Sequence, residues 1–150
     1  MKACVIQPPY SKNLELSDEY FAYKLRLLEE CDESIDIIVL PEYSDVPCAT
    51  TTTEETLFYH NKYIDKLLEK CACTAKRCNA YVFVNALSQE ETGWRNTTYC
   101  FDCKGKPVGK YFKQHLPIAE QRMGLDSSYT MAPQEPYILE LDGIRFGFLT

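Results

Sequence analysis

Apolar positions follow two rhythms along this chain: short β-branched runs, and longer stripes spaced three and four residues apart. Residues 2–7 predict a short buried strand, closed by Pro8-Pro9. A helix is predicted from Ser17, with Asp18 and Glu19 in its first turn, where negative charge suits the helix dipole. Phe21, Leu25, Leu28 and Cys31 then recur on one face of it. Residues 35–40 are mostly apolar and end at Pro41, which predicts a strand covered on one face or both. The run Thr50-Thr51-Thr52-Thr53 offers N-caps for a second helix. Its buried stripe is Ile64, Leu67, Leu68, Cys71, Ala75 and Cys78, and Asn79 ends it. Tyr81-Val82-Phe83-Val84 reads as another buried strand. Residues 96–102 and 107–112 predict paired strands joined by a turn around Lys104-Gly105-Lys106. Residues 137–141 and 144–150 flank Asp142-Gly143, a strong hairpin signal. The order βαβαβ followed by β-hairpins defines an α/β layered fold, with helices covering a mixed sheet. No repeat, low-complexity segment or domain boundary interrupts it.

Composition narrows the classes of function. A length of 150 residues suits one domain with a real core. The net charge is -6 and no basic run exists, which argues against a nucleic-acid partner. The first residues hold too short an apolar stretch for a secretory signal, and no run approaches membrane-spanning length. A soluble, cytoplasmic protein without a membrane partner is expected. Eight cysteines would suit a disulfide framework in a small secreted domain, but here the periodic segments already supply a core, so free thiols are expected. A cytoplasmic protein does not meet the glycosylating enzyme, so the sequon Asn96-Thr97-Thr98 is read as unglycosylated. The pairs Cys71-x-Cys73 and Cys100-x-x-Cys103 have zinc-like spacing. Yet Cys71 and Cys73 diverge on the predicted helix, while Cys71 and Cys78 share its buried stripe. Neither a metal nor a cofactor is expected.

Each chemistry-bearing position is a weak signal alone. Glu42 follows the apolar run Ile37-Ile38-Val39-Leu40-Pro41. A carboxylate at such a strand end can face a partly dry cleft and shuttle protons. Lys113 follows the predicted strand 107–112, from which its ammonium can enter the same cleft and stabilise an oxyanion. Of the two histidines, His60 falls among polar helix residues and His115 follows Lys113.

After Glu42 come Asn96-Thr97, Gly109 and Lys113-Gln114-His115-Leu116, in that order. In this combination the chain resembles the nitrilase superfamily, the carbon–nitrogen hydrolases. The resemblance spans the whole chain and implies the four-layer α-β-β-α sandwich, two sheets face to face, of which residues 1–150 would form the N-terminal part. It implies that Glu42 is the catalytic acid–base and Lys113 the oxyanion stabiliser. Glu120, seven residues beyond Lys113, corresponds to a second glutamate that lies near the lysine and substrate in many members. His115 is expected to be structural, partly buried and hydrogen-bonded. The family nucleophile, a cysteine ending a later strand, would directly follow Thr150. The chain therefore reads as a C-terminally truncated hydrolase domain, inactive alone, with an apolar unpaired strand edge that invites aggregation or docking. Cys48 is nearest to Glu42 in sequence, but lies in a loop rather than at a strand end. The implied substrate is a small amide, carbamoyl amine or nitrile, cleaved through a thioester by a possible homo-oligomer. The alternative is a non-catalytic binding or regulatory protein on the same scaffold.

Overall fold

Five strands make the central sheet of the computed structural model, which describes residues 1–10, 12–125 and 136–150. They are β1 (Ala3–Val5), β2 (Ile37–Val39), β3 (Tyr81–Glu90), β4 (Gly93–Phe101) and β5 (Pro107–Phe112), and they stand in sequence order across the sheet. The first three run parallel, so each connection must cross over the sheet, and α1 (Ser17–Glu30) and α2 (Thr53–Cys78) make those crossovers. Both β4 and β5 join antiparallel to their neighbours, which returns β5 to the direction of β2 and β3. The carboxyl ends of β2, β3 and β5 thus share one edge of the sheet.

Alternation along the strands sorts the side chains into two faces. Ile38, Val82, Val84 and Ala86 face the helices and join Phe21, Leu25, Leu28, Leu67, Cys71 and Cys78 in the main core. The predicted helical stripes are therefore the packed ones. Each large apolar side chain fully withdrawn from water there contributes ~1.5–3 kcal/mol. Tyr81, Phe83 and Cys100 occupy the opposite face, with Ile37 and Val39 beside them. A hairpin of β6 (Ile138–Leu141) and β7 (Ile144–Gly147) lays Leu139, Leu141, Ile144 and Phe146 on that face. Its turn needs two left-handed residues, and Asp142 (φ 50°) and Gly143 (φ 78°) provide them. Tyr81 donates a hydrogen bond to the Asp142 carboxylate, tying the turn to β3. Gly109 in β5 makes room for the hairpin, because a Cβ there would come within 2.7 Å of the Tyr137 hydroxyl.

The strand limits differ from the pattern in both directions. β1, β2 and β7 are shorter than their apolar runs, whereas β3 extends to Glu90 and β4 begins at Gly93. Polar residues hide these extensions: Asn85 and Ser88 interrupt the apolar run, but face Thr98 and Arg95 in the ladder. The hydroxyls of Ser88 and Thr97 lie 2.6 Å apart, so the buried polar groups satisfy each other. A short helix, α3 (Ile118–Arg122), forms in a stretch where the apolar pattern predicts no element. Among the described residues no helix is long and apolar enough to cross a membrane.

Candidate active site

Three elements deliver the charged groups to the shared sheet edge. Glu42 lies in the turn after β2, Lys113 directly follows β5, and Glu120 sits in the first turn of α3. Two strands separate β2 from β5, and polar residues on those strands fill the gap. Asn85 on β3 donates from Nδ2 to Asn96 Oδ1 on β4 at 2.6 Å. Asn96 Nδ2 then donates to Glu42 Oε1 at 2.8 Å and to Glu120 Oε1 at 3.1 Å. Lys113 Nζ completes the cluster, 2.6 Å from Glu42 Oε1 and 3.0 Å from Glu120 Oε1. An ammonium has three N–H groups, so among the described residues one remains for a ligand.

The environment of each group follows from its partners. Burial opposes the charge on Lys113, but hydrogen bonds to Glu42 and Glu120 outweigh it and raise its pKa above the ordinary lysine value. Lys113 therefore stays cationic. Glu120 is 8% exposed in its side chain and Glu42 is 40% exposed, so Glu42 is the wetter of the two carboxylates. Tyr43 donates to Glu120 Oε1 at 2.8 Å, and burial together with that carboxylate raises its pKa, which keeps the phenol a donor. Glu120 Oε1 thus accepts from Lys113, Tyr43 and Asn96, while its buried Oε2 has no partner among the described residues.

The turn that carries Glu42 is strained. Tyr43 is left-handed at φ 53°, a conformation that costs a non-glycine residue ~1–2 kcal/mol. Asn85 holds it there: its side-chain oxygen accepts from Tyr43 N at 2.8 Å, and its carbonyl accepts from Ser44 N at 2.8 Å. Two clefts reach Glu42. One, of about 380 Å³, is lined by Ile37, Val39, Phe83, Asn85, Thr98 and the segment 146–150. The other, of about 320 Å³, is lined by Tyr10, Tyr43, Val46, Cys48 and Met123 among others.

The structure therefore gathers Glu42, Lys113 and Glu120 at one point. Asn85 and Tyr43 escaped the sequence reading, although a lone Asn inside an apolar strand run was a usable signal. His115 departs from expectation: it is exposed, because Lys113 and Leu116 on either side turn inward. His60 also departs: it is 6% exposed and its Nδ1 lies 2.6 Å from Asp45 Oδ2. Cys71, Cys78 and Cys100 are buried and Cys73 is exposed, and all eight cysteines are free thiols. No cluster of three His, Cys, Asp or Glu that could hold a metal occurs among the described residues.

Helices over a mixed sheet, a second sheet laid on its far face, and a carboxylate–lysine cluster at the strand ends define a nitrilase-like α/β protein. The sequence matches the carbon-nitrogen hydrolase family profile over residues 2–150, and the chain belongs to that family. Its fold is shared with solved structures of low identity. A mutant of the Nesterenkonia AN1 amidase, of the nitrilase superfamily, matches with TM-score 0.59 and 18% identity over 99% of this chain and 55% of its own. A carbon-nitrogen hydrolase from Helicobacter pylori G27 matches with TM-score 0.58 and 18% identity over 89% and 45%. An N-terminal amidase matches with TM-score 0.64 and 15% identity over 84% and 30%. The chain thus spans about half the length of these proteins or less. No curated protein gives a significant sequence match.

Proposed function

We propose that this chain carries the acid–base and oxyanion half of a centre that hydrolyses a small amide, carbamoyl amine or nitrile through a thioester. One observation carries the reading: Lys113 Nζ is bonded to two carboxylates, which among the described residues leaves one of its N–H groups for a ligand. For an amide, Glu42 takes the proton of a cysteine thiol, and the sulfur attacks the carbonyl carbon. The free N–H of Lys113 meets the developing oxyanion. Glu42 returns the proton to the departing ammonia or amine, leaving a thioester. Water, deprotonated by Glu42, then releases the acid and restores the thiol. Glu120 holds Lys113 and Tyr43 in place throughout.

The thiol in this proposal has to reach the cleft that Glu42 shares with Thr150. Cys48 lines the other cleft and is exposed in a loop. The neighbouring Nesterenkonia amidase has been solved with butyramide and with acrylamide, so small neutral amides are the first substrates to try. The test is ammonia release by the full polypeptide as the cell makes it. Glu42→Gln and Lys113→Ala are each expected to lower kcat by at least ~10²-fold. Cys48→Ser is expected to change nothing, and residues 1–150 alone to release no ammonia. Wild-type turnover in Glu42→Gln would remove the acid–base role, and activity in the isolated chain that Cys48→Ser abolishes would relocate the nucleophile.

A further inference from the structure

Beneath the Glu42 turn lies a second polar cluster that the proposed chemistry does not use. Asp45 is 0% exposed, and its Oδ2 accepts from His60 Nδ1 at 2.6 Å and from Leu87 N at 3.1 Å. His60 comes from α2 and Leu87 from β3, so one carboxylate ties the turn to two elements. Lys24 from α1, also buried, donates to the carbonyl of the adjacent Ser44. Ser44 Oγ donates back to Pro41 O at 2.7 Å, closing the turn around Glu42 and Tyr43. Trp94 of β4 packs edge-on against the His60 ring, with centroids 5.0 Å apart, and fixes its orientation.

This arrangement is costly for stability alone. A buried carboxylate loses its hydration and survives only where partners replace it. Asp45 Oδ1 has no partner among the described residues, so the side chain has not been optimised for its own burial. Its bonds anchor the turn two residues after the left-handed Tyr43, beside the two that Asn85 makes to Tyr43 and Ser44. We propose that Asp45 is a positioning residue for the Glu42 centre: held by His60 and the Leu87 amide, it keeps the strained Tyr43 turn in the geometry that brings Glu42 to Lys113. The inference rests on the reading of Glu42 as the acid–base group.

The roles of Asp45 and His60 are separable by kinetics on the full polypeptide, each variant assayed well below its own Tm. Asp45→Ala is expected to lower kcat by ~10²-fold while KM stays within about threefold, as misplacement of a reacting group does. Asp45→Asn retains one carbonyl oxygen that can take both donors, and is expected to return kcat to within about tenfold of wild type. Wild-type kcat in a folded Asp45→Ala protein would leave only a structural role and overturn the proposal. Should that variant not fold, His60→Phe keeps a ring against Trp94 and removes the N–H. It must then show the same kcat-selective loss, about tenfold, and wild-type kcat in it overturns the proposal. Crystal structures of these variants separate this idea from the functional reading, whatever the wild type hydrolyses. Support requires that Tyr43 leave the left-handed region or that the Glu42–Lys113 hydrogen bond break. An unchanged turn in the folded variants sinks it.

Discussion

Glu120 Oε1 accepts from the cationic Lys113, the Tyr43 phenol and the Asn96 amide, so removing it takes one acceptor from each of three donors. A buried group left unsatisfied costs ~1–3 kcal/mol, but Lys113 and Asn96 keep their bonds to Glu42. Glu120→Ala is therefore expected to destabilise by about 3 kcal/mol and Glu120→Gln, which keeps an oxygen, by about 1 kcal/mol, measured by urea unfolding. Equal losses in the two variants would mean that the carboxylate charge, not acceptor geometry, holds the cluster. At this scale the sequence revealed what spacing and resemblance encode. Glu42, Lys113 and Glu120 were legible because each has a fixed place relative to an apolar run or a motif. Asp45 and His60 were not, because their pairing depends on how α2 docks on the turn, and no local pattern records that. The exposure of Glu42 was likewise set by three-dimensional packing around the strand end.

Elements were most legible where their ends carry a physical signal. Thr52 Oγ1 accepts from Glu55 N at 3.1 Å, and Glu55 reaches back to Thr51 N at 2.9 Å, so the threonine run caps α2 with a reciprocal pair. At its other end Asn79 adopts φ 53° and its N–H returns to Ala75 O. Thr52→Ala is expected to cost about 1 kcal/mol, as loss of an N-cap does. Asn79→Gly is expected to be neutral or slightly stabilising, whereas Asn79→Val, β-branched in a left-handed site, should lose ~1–2 kcal/mol. Denaturant midpoints of these variants decide it; a Val variant as stable as the Gly variant would show that the helix simply ends elsewhere. The end of β3 had no such marker. β3 outruns its apolar stretch because Asn85 and Ser88 are buried by pairing across to β4, which makes polarity a poor stop signal there. The helix α3 is five residues long, too short to show a periodic stripe.

At the scale of the whole molecule, both faces of β2 and β3 are apolar, which announces a covering layer but not that the layer is a sheet; the hairpin of β6 and β7 supplies it. Neither the pattern nor the resemblance announced the charge buried beneath the Glu42 turn. Lys24 lies three residues after Phe21, on the inward side of α1, and is 8% exposed. Burial lowers its pKa to about 8, even with Asp45 nearby. Cys71 and Cys100 carry the opposite shift, each thiol being pushed up to about 12 by burial. The consequences for stability oppose one another. Between the native value near 8 and the unfolded value of 10.5, the unfolded chain holds the lysine proton that the native state has released, so this group makes stability rise with pH. From the unfolded thiol value of 9.0 up to about 12, the unfolded thiols ionise while the native ones do not, so these groups make stability fall. Each group contributes at most ~1.4 kcal/mol per pH unit, so two thiols outweigh one lysine once both processes are under way. Stability is expected to peak between about pH 8 and 9 and then decline, in urea titrations run with a reductant. Lys24→Met should erase the rise and keep the decline, and replacing Cys71 and Cys100 by alanine should make the decline shallower without removing it, because burial also pushes the Cys31 thiol up to about 12 and raises those of Cys78 and Cys103. A profile level from pH 8 to 10 in the wild type, and unmoved by either change, would mean that water reaches these groups and that the cluster under the turn is not held dry.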